Sequence, residues 1–538
     1  MQNKKLIITL LFAVLSIFTI TACSDSSNES NSGVNNGGGG TVQPEPEPEP
    51  EPDLNVVKEF YHFLTWADNS NDLYSQYAIL YDGSLYAWGN NNHGQLGVGL
   101  TDKDVLYQND KKKVNIPGKV IQLIAENEPV LNSSTSMYDT TSSFYAITEN
   151  GELYVWGYNG SGQLGVGDKI DRNTPEKINL SGKIKTLKTS EGLVYAILED
   201  GSLYAWGNNY YGQLGVGDDM GRDTPTKVTA ITGMIKELIT NNYYSTYAIM
   251  EDGSLYAWGK NGSGQLGVGD KVNKNTPTLI SGISGKIKTL KTNYQSIYAI
   301  AEDGLLYTWG RNLHGQLGIY SFGQYINAPK NVKLPNKVKE LITSSSSAYT
   351  ILEDGSLYAW GKNEDGKLGI GLSDGTTIHA PKQVTGINGT IKKLITGSSV
   401  YALMEDGSLY VWGKNESSQL GVGDIVNRNT PTKVNLPSKI KELIIDSSSA
   451  YAILEDGSLY AWGNNYHGKL GVGKSTNTIY TPEQVTGING TIKEISNSTS
   501  GYDMTIYANG YFLTEDGLLY VTGWEDSNYP VKIEFKEK

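Results

Sequence analysis

The stretch from Ile235 to Ile280, "IKELITNNYYSTYAIMEDGSLYAWGKNGSGQLGVGDKVNKNTPTLI", shows how apolar and polar positions are arranged along most of this chain. Its apolar residues fall in short runs separated by glycine, asparagine and aspartate, and no run keeps a helical period. "IKELIT" and "STYAIM" are rich in β-branched and aromatic residues, and "SLYAW" alternates large with small side chains, so each predicts a strand. The Asp-Gly between the second and third runs predicts a tight hairpin. A fourth strand is expected to follow "TP", because proline suits a strand start or an edge. The glycines of "WGKNGSGQLGVGD", between the third and fourth runs, suit sharp turns and close packing.

The same pattern recurs. "EDGSLYAWG" begins at Glu199, Glu251, Glu353 and Glu455, and near-copies begin at Tyr81, Glu149, Glu302, Glu405 and Glu515. Trp88, Trp156, Trp206, Trp258, Trp309, Trp360, Trp412 and Trp462 are equivalent, at spacings of 68, 50, 52, 51, 51, 52 and 50 residues. A ninth copy, "EDGLLYVTG", has Thr522 in the tryptophan position. Four strands per period of this length predict one blade of a β-propeller, an all-β architecture. The repeated Leu and Trp are expected to pack between neighbouring blades rather than to meet a ligand.

The phrase "LYAWGxNxxGQLGVG…TP" resembles the RCC1 (regulator of chromosome condensation) repeat, over residues 56–535. Gly-His and Trp-Asp dipeptides of WD40 repeats and the Gly-Gly doublet of kelch repeats do not recur. The resemblance implies a propeller of four-stranded blades, usually seven. Here first strands are predicted to begin near Val56, Lys119, Lys183, Ile235, Lys286, Lys337, Ile391, Lys439 and Ile492, with "YPVKIEF" as the last fourth strand. One closed ring of nine blades is expected, since closure removes unpaired edges. The alternatives are a seven-bladed ring with appended repeats, or an open arc.

Ahead of the repeats lie two segments of different character. Residues 1–22 combine Lys4-Lys5 with the apolar run "LIITLLFAVLSIFTI" and end in Ile20-Thr21-Ala22, directly before Cys23, the chain's one cysteine. This resembles a bacterial lipoprotein signal peptide, which implies lipidation of Cys23, an anchored membrane location and exposure to periplasm or exterior. Residues 23–53 then form a Ser/Asn/Gly and Pro-Glu tether of low complexity, expected to be disordered and extended. Residues 54–538 remain for the propeller.

Formal charge is −13; the leader carries +2 and residues 24–53 carry seven acids, which leaves −8 for the body. Such a body lacks the clustered cations that phosphate backbones require, so no nucleic-acid partner is expected. Gly160–Gly165 and Gly262–Gly267 match GxGxxG but open no helix, so neither predicts a dinucleotide site. His93, His314 and His467 share one register position in non-adjacent repeats and are expected to be solvated loop residues, not metal ligands. Asp168, Asp218, Asp270 and Asp424 follow "GVG"; turn formation is the expected role, with calcium ligation the alternative. No catalytic constellation, GxSxG elbow or cofactor motif is present, so the chain is not expected to be an enzyme.

One asymmetry remains. The span from the first strand to the Ala of the second runs 10–12 residues in the third to eighth repeats. It is 19 in the ninth (Lys493–Phe512), 20 in the first (Lys58–Ala78) and 25 in the second (Ile121–Ala146). Residues 62–76, 126–143 and 497–510 are therefore expected to be enlarged loops. They carry Trp66, Asp68, Asp72, Tyr74, Met137, Tyr138, Asp139, Tyr502, Asp503 and Tyr507. Aromatics with a polar tip are enriched in interfaces, so these residues predict a protein-binding patch; strapping of the seam is the alternative. Two further readings come from the family resemblance: nucleotide exchange on a GTPase, and inhibition of an enzyme such as a β-lactamase.

Overall fold

The computed structural model describes residues 57–532, apart from 65–73, 92, 101–106, 132–137, 242, 322–323, 373–374, 498–509, 517 and 523–527. Its strands form nine four-stranded antiparallel sheets, each built from four consecutive strands in simple up-and-down order. This is the all-β, RCC1-like propeller blade predicted from the repeat. Contacts divide the chain into two compact units, one ending at Met234 and the other beginning at Ile235. Blades one to three belong to the first unit and blades four to nine to the second.

The fourth blade shows the register. Ile235–Asn241 pairs with Ser245–Met250, which pairs with Leu255–Gly259, which pairs with Lys274–Leu279. The second strand is buried along its whole length, while the first alternates buried Ile235 and Leu238 with exposed Lys236 and Glu237. The Asp-Gly hairpin closes with Met250 N–H donating to Ser254 O and Gly253 N–H donating to Met250 O, both at 2.9 Å. Gly253 has φ +86° there, a conformation that other residues enter only with strain.

The "TP" motif lies differently from expectation. Thr276-Pro277 sits inside the fourth strand rather than before it. That strand is the sheet's outer edge, and its register shifts between the pairs Ala257↔Thr278 and Gly259↔Lys274. Pro277 falls in the shifted segment, where the ladder does not need an N–H.

Packing joins each blade to the next within a unit. Blades one and two share a core of Tyr77, Ile79, Phe144 and Trp156, among others; in the second unit Tyr401, Val411, Trp462 and Phe512 belong to one such core. Seven of the eight repeated tryptophans are fully buried, and six of them are bonded across a blade boundary within a unit. Trp309 Nε1 donates to Gln265 O at 2.8 Å, Trp360 to Gln316 O at 2.8 Å, Trp412 to Lys367 O at 2.8 Å and Trp462 to Gln419 O at 2.9 Å. Trp156 and Trp206 do the same in the first unit. Each carbonyl also accepts the hydroxyl of its own blade's tyrosine, as Tyr247 bonds Gln265 O at 2.7 Å. A Cβ at Gly267, φ +71°, would stand 2.6 Å from Trp309 Nε1, so the glycine makes room for the next blade's indole. In the ninth blade Thr522 replaces the indole, and its hydroxyl still donates to Lys469 O.

Candidate binding surfaces

The connection between the first two strands behaves differently in the three lengthened repeats. In the second blade the extra residues form strand: Val120–Leu131 pairs with Tyr138–Thr148, in register from Gln122↔Ile147 to Leu131↔Tyr138. Most of the expected 126–143 loop is thus a protruding antiparallel hairpin, because each added residue on one side finds a backbone partner on the other. The corresponding strands of the third to eighth blades are only six or seven residues long. The first blade gains less, with Leu64↔Tyr74 as its last pair, and the ninth pairs Ile492–Asn497 with Gly510–Thr514.

Tyr74 opens the second strand of the first blade, and Tyr138 and Asp139 open that of the second. Trp66, Asp68, Asp72, Met137, Tyr502, Asp503 and Tyr507 lie outside the described residues, as does Cys23. At the base of the hairpin, buried Glu126 accepts the Gly192 amide of the third blade at 2.9 Å. This contact ties the base of the hairpin to its neighbour.

The aspartates after "GVG" are turn-formers. Asp168 accepts the Ile170 amide at 2.9 Å and pairs with Arg172 at 2.8 Å. Asp218–Arg222, Asp270–Lys274 and Asp424–Arg428 repeat the ion pair at 2.7 Å each. Hydrogen bonds from these cations and the local amides hold all four carboxyls below their usual range. Among the described residues no group of three His, Cys, Asp or Glu converges as a metal site.

Solvation of the histidines holds only for His467, which is exposed. His93 is half-buried, with Nδ1 3.4 Å from Asp171. His314 is also half-buried and lines a cavity of about 250 Å³ with Tyr294 and Arg311 of the fifth blade and Ser345, Ser346 and Lys362 of the sixth. Gln316 and Glu364 complete the lining. Burial, then the charges of Lys362 and Arg311, push the His314 imidazole below its ordinary pKa. Lys367, 5% exposed, is pushed down by burial as well. A search for converging histidines does not find this cluster; its cations Arg311 and Lys362 stand at the position after Trp-Gly that Asn90, Asn208 and Asn464 hold in other repeats.

Comparison with known proteins agrees with the geometry. Residues 238–507 match the RCC1-like domain, and residues 82–131, 150–195 and 200–238 match the regulator of chromosome condensation (RCC1) repeat. The chain is 29% identical over 349 residues to the ultraviolet-B receptor UVR8 of Arabidopsis thaliana, covering 64% of each chain. It is 30% identical over 369 residues to the human E3 ubiquitin-protein ligase HERC2, covering 63% of this chain and 7% of that one. The match thus spans less than two thirds of the length of either relative. Similar solved structures include human WBSCR16, at 18% identity and TM-score 0.41, covering 67% of this chain and 96% of that one. Prp20p of Saccharomyces cerevisiae follows at 22% identity and TM-score 0.39, covering 65% and 90%. Nine sheets of this pattern, with a match to the RCC1-like domain over half of the chain, place the chain in the RCC1-repeat family of β-propellers.

Proposed function

We propose that the chain is a lipid-anchored, extracytoplasmic propeller of the bacterial cell envelope that binds another protein. The reading needs neither a cofactor nor catalysis. The observation that carries it is the hairpin of the second blade, Val120–Leu131 with Tyr138–Thr148, the one place among the described residues where a blade is extended well beyond its template. Antiparallel pairing gives this element a defined shape, and Tyr138 and Asp139 lie near its tip. A stiff projection carrying an aromatic with a polar end is suited to anchoring a protein interface at low entropic cost. Lipidation of Cys23 and the tether of residues 24–53 are the sequence support for the anchored location.

The experiment removes the projection while keeping its base. Residues 127–142 are replaced by Asn-Gly, a two-residue turn that suits a hairpin, leaving Glu126 to hold the Gly192 amide. The variant is expected to melt within a few degrees of the parent, since shortening a surface connection costs little stability. It should lose the proteins that the parent captures from envelope extracts, and Tyr138→Ala should weaken capture on its own. A folded variant that captures the same proteins as the parent overturns the proposal. A variant that loses stability while its folded fraction binds normally assigns the hairpin to strapping.

A further inference from the structure

The repeats align the chain with itself, and that alignment isolates one charge. At the position of Lys367 six repeats have glutamine: Gln95, Gln163, Gln213, Gln265, Gln316 and Gln419. Two have lysine, Lys367 and Lys469, each more than nine-tenths buried. Lys469 is compensated within its own blade, with Nζ 3.4 Å from Asp446 Oδ2. Burial works against the Asp446 charge, but Lys469 and bonds from Ser449 and Ser448 hold its pKa below the usual value. The position equivalent to Asp446 in the sixth blade is Ser344. No carboxylate among the described residues forms an ion pair with Lys367. Glu364 and Asp365 of its own turn attract the Lys367 charge without ion-pair contact, and burial outweighs them, whereas the eighth blade balances its buried ammonium by a carboxylate beside it.

Next to Lys367 lies the cavity of about 250 Å³ between the fifth and sixth blades. The charge of Lys367 reaches His314 in its lining. Arg311 enters from the fifth blade and has no carboxylate partner among the described residues; Lys362 enters from the sixth. Ser345 and Ser346 add hydroxyls and amides from a turn that Asn293 of the fifth blade fixes by donating to Ser344 O. The one carboxylate of the lining, Glu364, is bonded to Lys362 in a pair whose side chains are 33% and 53% exposed. Such a pair is weak and leaves two ammonium protons of Lys362 for another acceptor. Within a body of net charge −8, this is a local excess of donors and positive charge facing a small polar space.

We propose that this cavity binds a small oxyanion, a phosphate or sulfate group, either free or carried on a larger ligand. Arg311 and Lys362 supply direct charge-assisted hydrogen bonds, and the Ser345–Ser346 turn supplies neutral donors. Lys367 supplies the field behind them, in the role that Asp446 makes unnecessary for Lys469.

The probe is inorganic phosphate titrated into the full chain at constant ionic strength, followed by the His314 ring proton resonance and by melting temperature. Phosphate should raise the His314 pKa and the melting temperature, as any ligand of the folded state does. Arg311→Asn and Lys367→Gln, each the residue that sister repeats use, should fold and together weaken phosphate binding about tenfold or more. Lys469→Gln should leave binding unchanged. Glu364→Gln removes a competitor and should tighten it severalfold. O-phosphoserine in parallel separates the sources: a stronger response than to free phosphate assigns the group to a larger ligand, and an equal or weaker one assigns a free ion. Absence of any response beyond that to chloride overturns the proposal, as does unchanged affinity in the double variant.

Discussion

Asp82, Asp200, Asp252, Asp354, Asp406 and Asp456 occupy the same corner of six hairpins, and each accepts the amide of the serine two residues on at 2.8–3.0 Å. The serine amide at Asp82 and Asp200, and the serine hydroxyl at the other four, is the main cause of a lowered carboxyl pKa. The folded pKa is then below the unfolded value of about 3.9, so below that pH the unfolded chain binds more protons. Stability from these turns is therefore present above about pH 4 and is lost as pH falls through the folded values. Melting temperature is expected to hold from pH 7 to 5 and to fall steadily from pH 4 to 2. Asp354→Asn and Asp456→Asn together should make that fall shallower, and an equal slope in parent and variant refutes the assignment. The Asp-Gly-Ser turn was legible because its chemistry is local. The second role of Gln265, whose main-chain oxygen receives Tyr247 and Trp309, was not, since nothing in a glutamine marks its carbonyl as a joint between blades.

At the scale of elements the period of the repeat carried most of the information. Strand starts read from the sequence at Ile235, Ile391 and Ile492 coincide with those observed, because each run is bounded by turn residues whose geometry leaves little freedom. The fourth strand contains the proline that the sequence places ahead of it, because a bulged edge accommodates a residue without an N–H. The second-blade connection reads as a loop in sequence because "AENEPVLNSSTSMYDTTSS" lacks strong strand propensity; backbone pairing between its two halves decides instead. The ninth blade, with no tryptophan, looks weak in sequence yet covers the eighth. Phe512 is fully buried and meets Tyr451 edge-on at 5.8 Å, while Thr522 and Pro530 approach Gly471. Phe512→Ala should cost about 3–5 kcal/mol. Truncation after residue 490 should do more, uncovering the apolar face of the eighth blade, with a lower melting temperature and aggregation on size exclusion. A truncated chain as stable and monomeric as the parent shows instead that the ninth blade is dispensable.

At the scale of the whole molecule, blades and leader make separate claims, and only the first is carried by packing. The proposal of a lipid anchor rests on Cys23 and its surroundings, and bilayer physics gives it a quantitative form. One acyl chain binds a membrane only marginally, whereas stable anchoring takes two signals. A diacylglycerol thioether on Cys23 provides two chains at a single residue, so the parent should fractionate with membranes and resist salt, yielding to detergent. Cys23→Ser removes the one thiol that can carry the lipid, and its site lies well ahead of the first strand at Val57. Folding should therefore be untouched. The variant is expected to accumulate as precursor or as unlipidated protein, with no incorporation of labelled fatty acid and an unchanged melting transition. Labelled lipid in the variant at the parent's level refutes Cys23 as the attachment site. Parent protein released from membranes by salt alone refutes the two-chain anchor, and the tether would then hold the propeller to nothing.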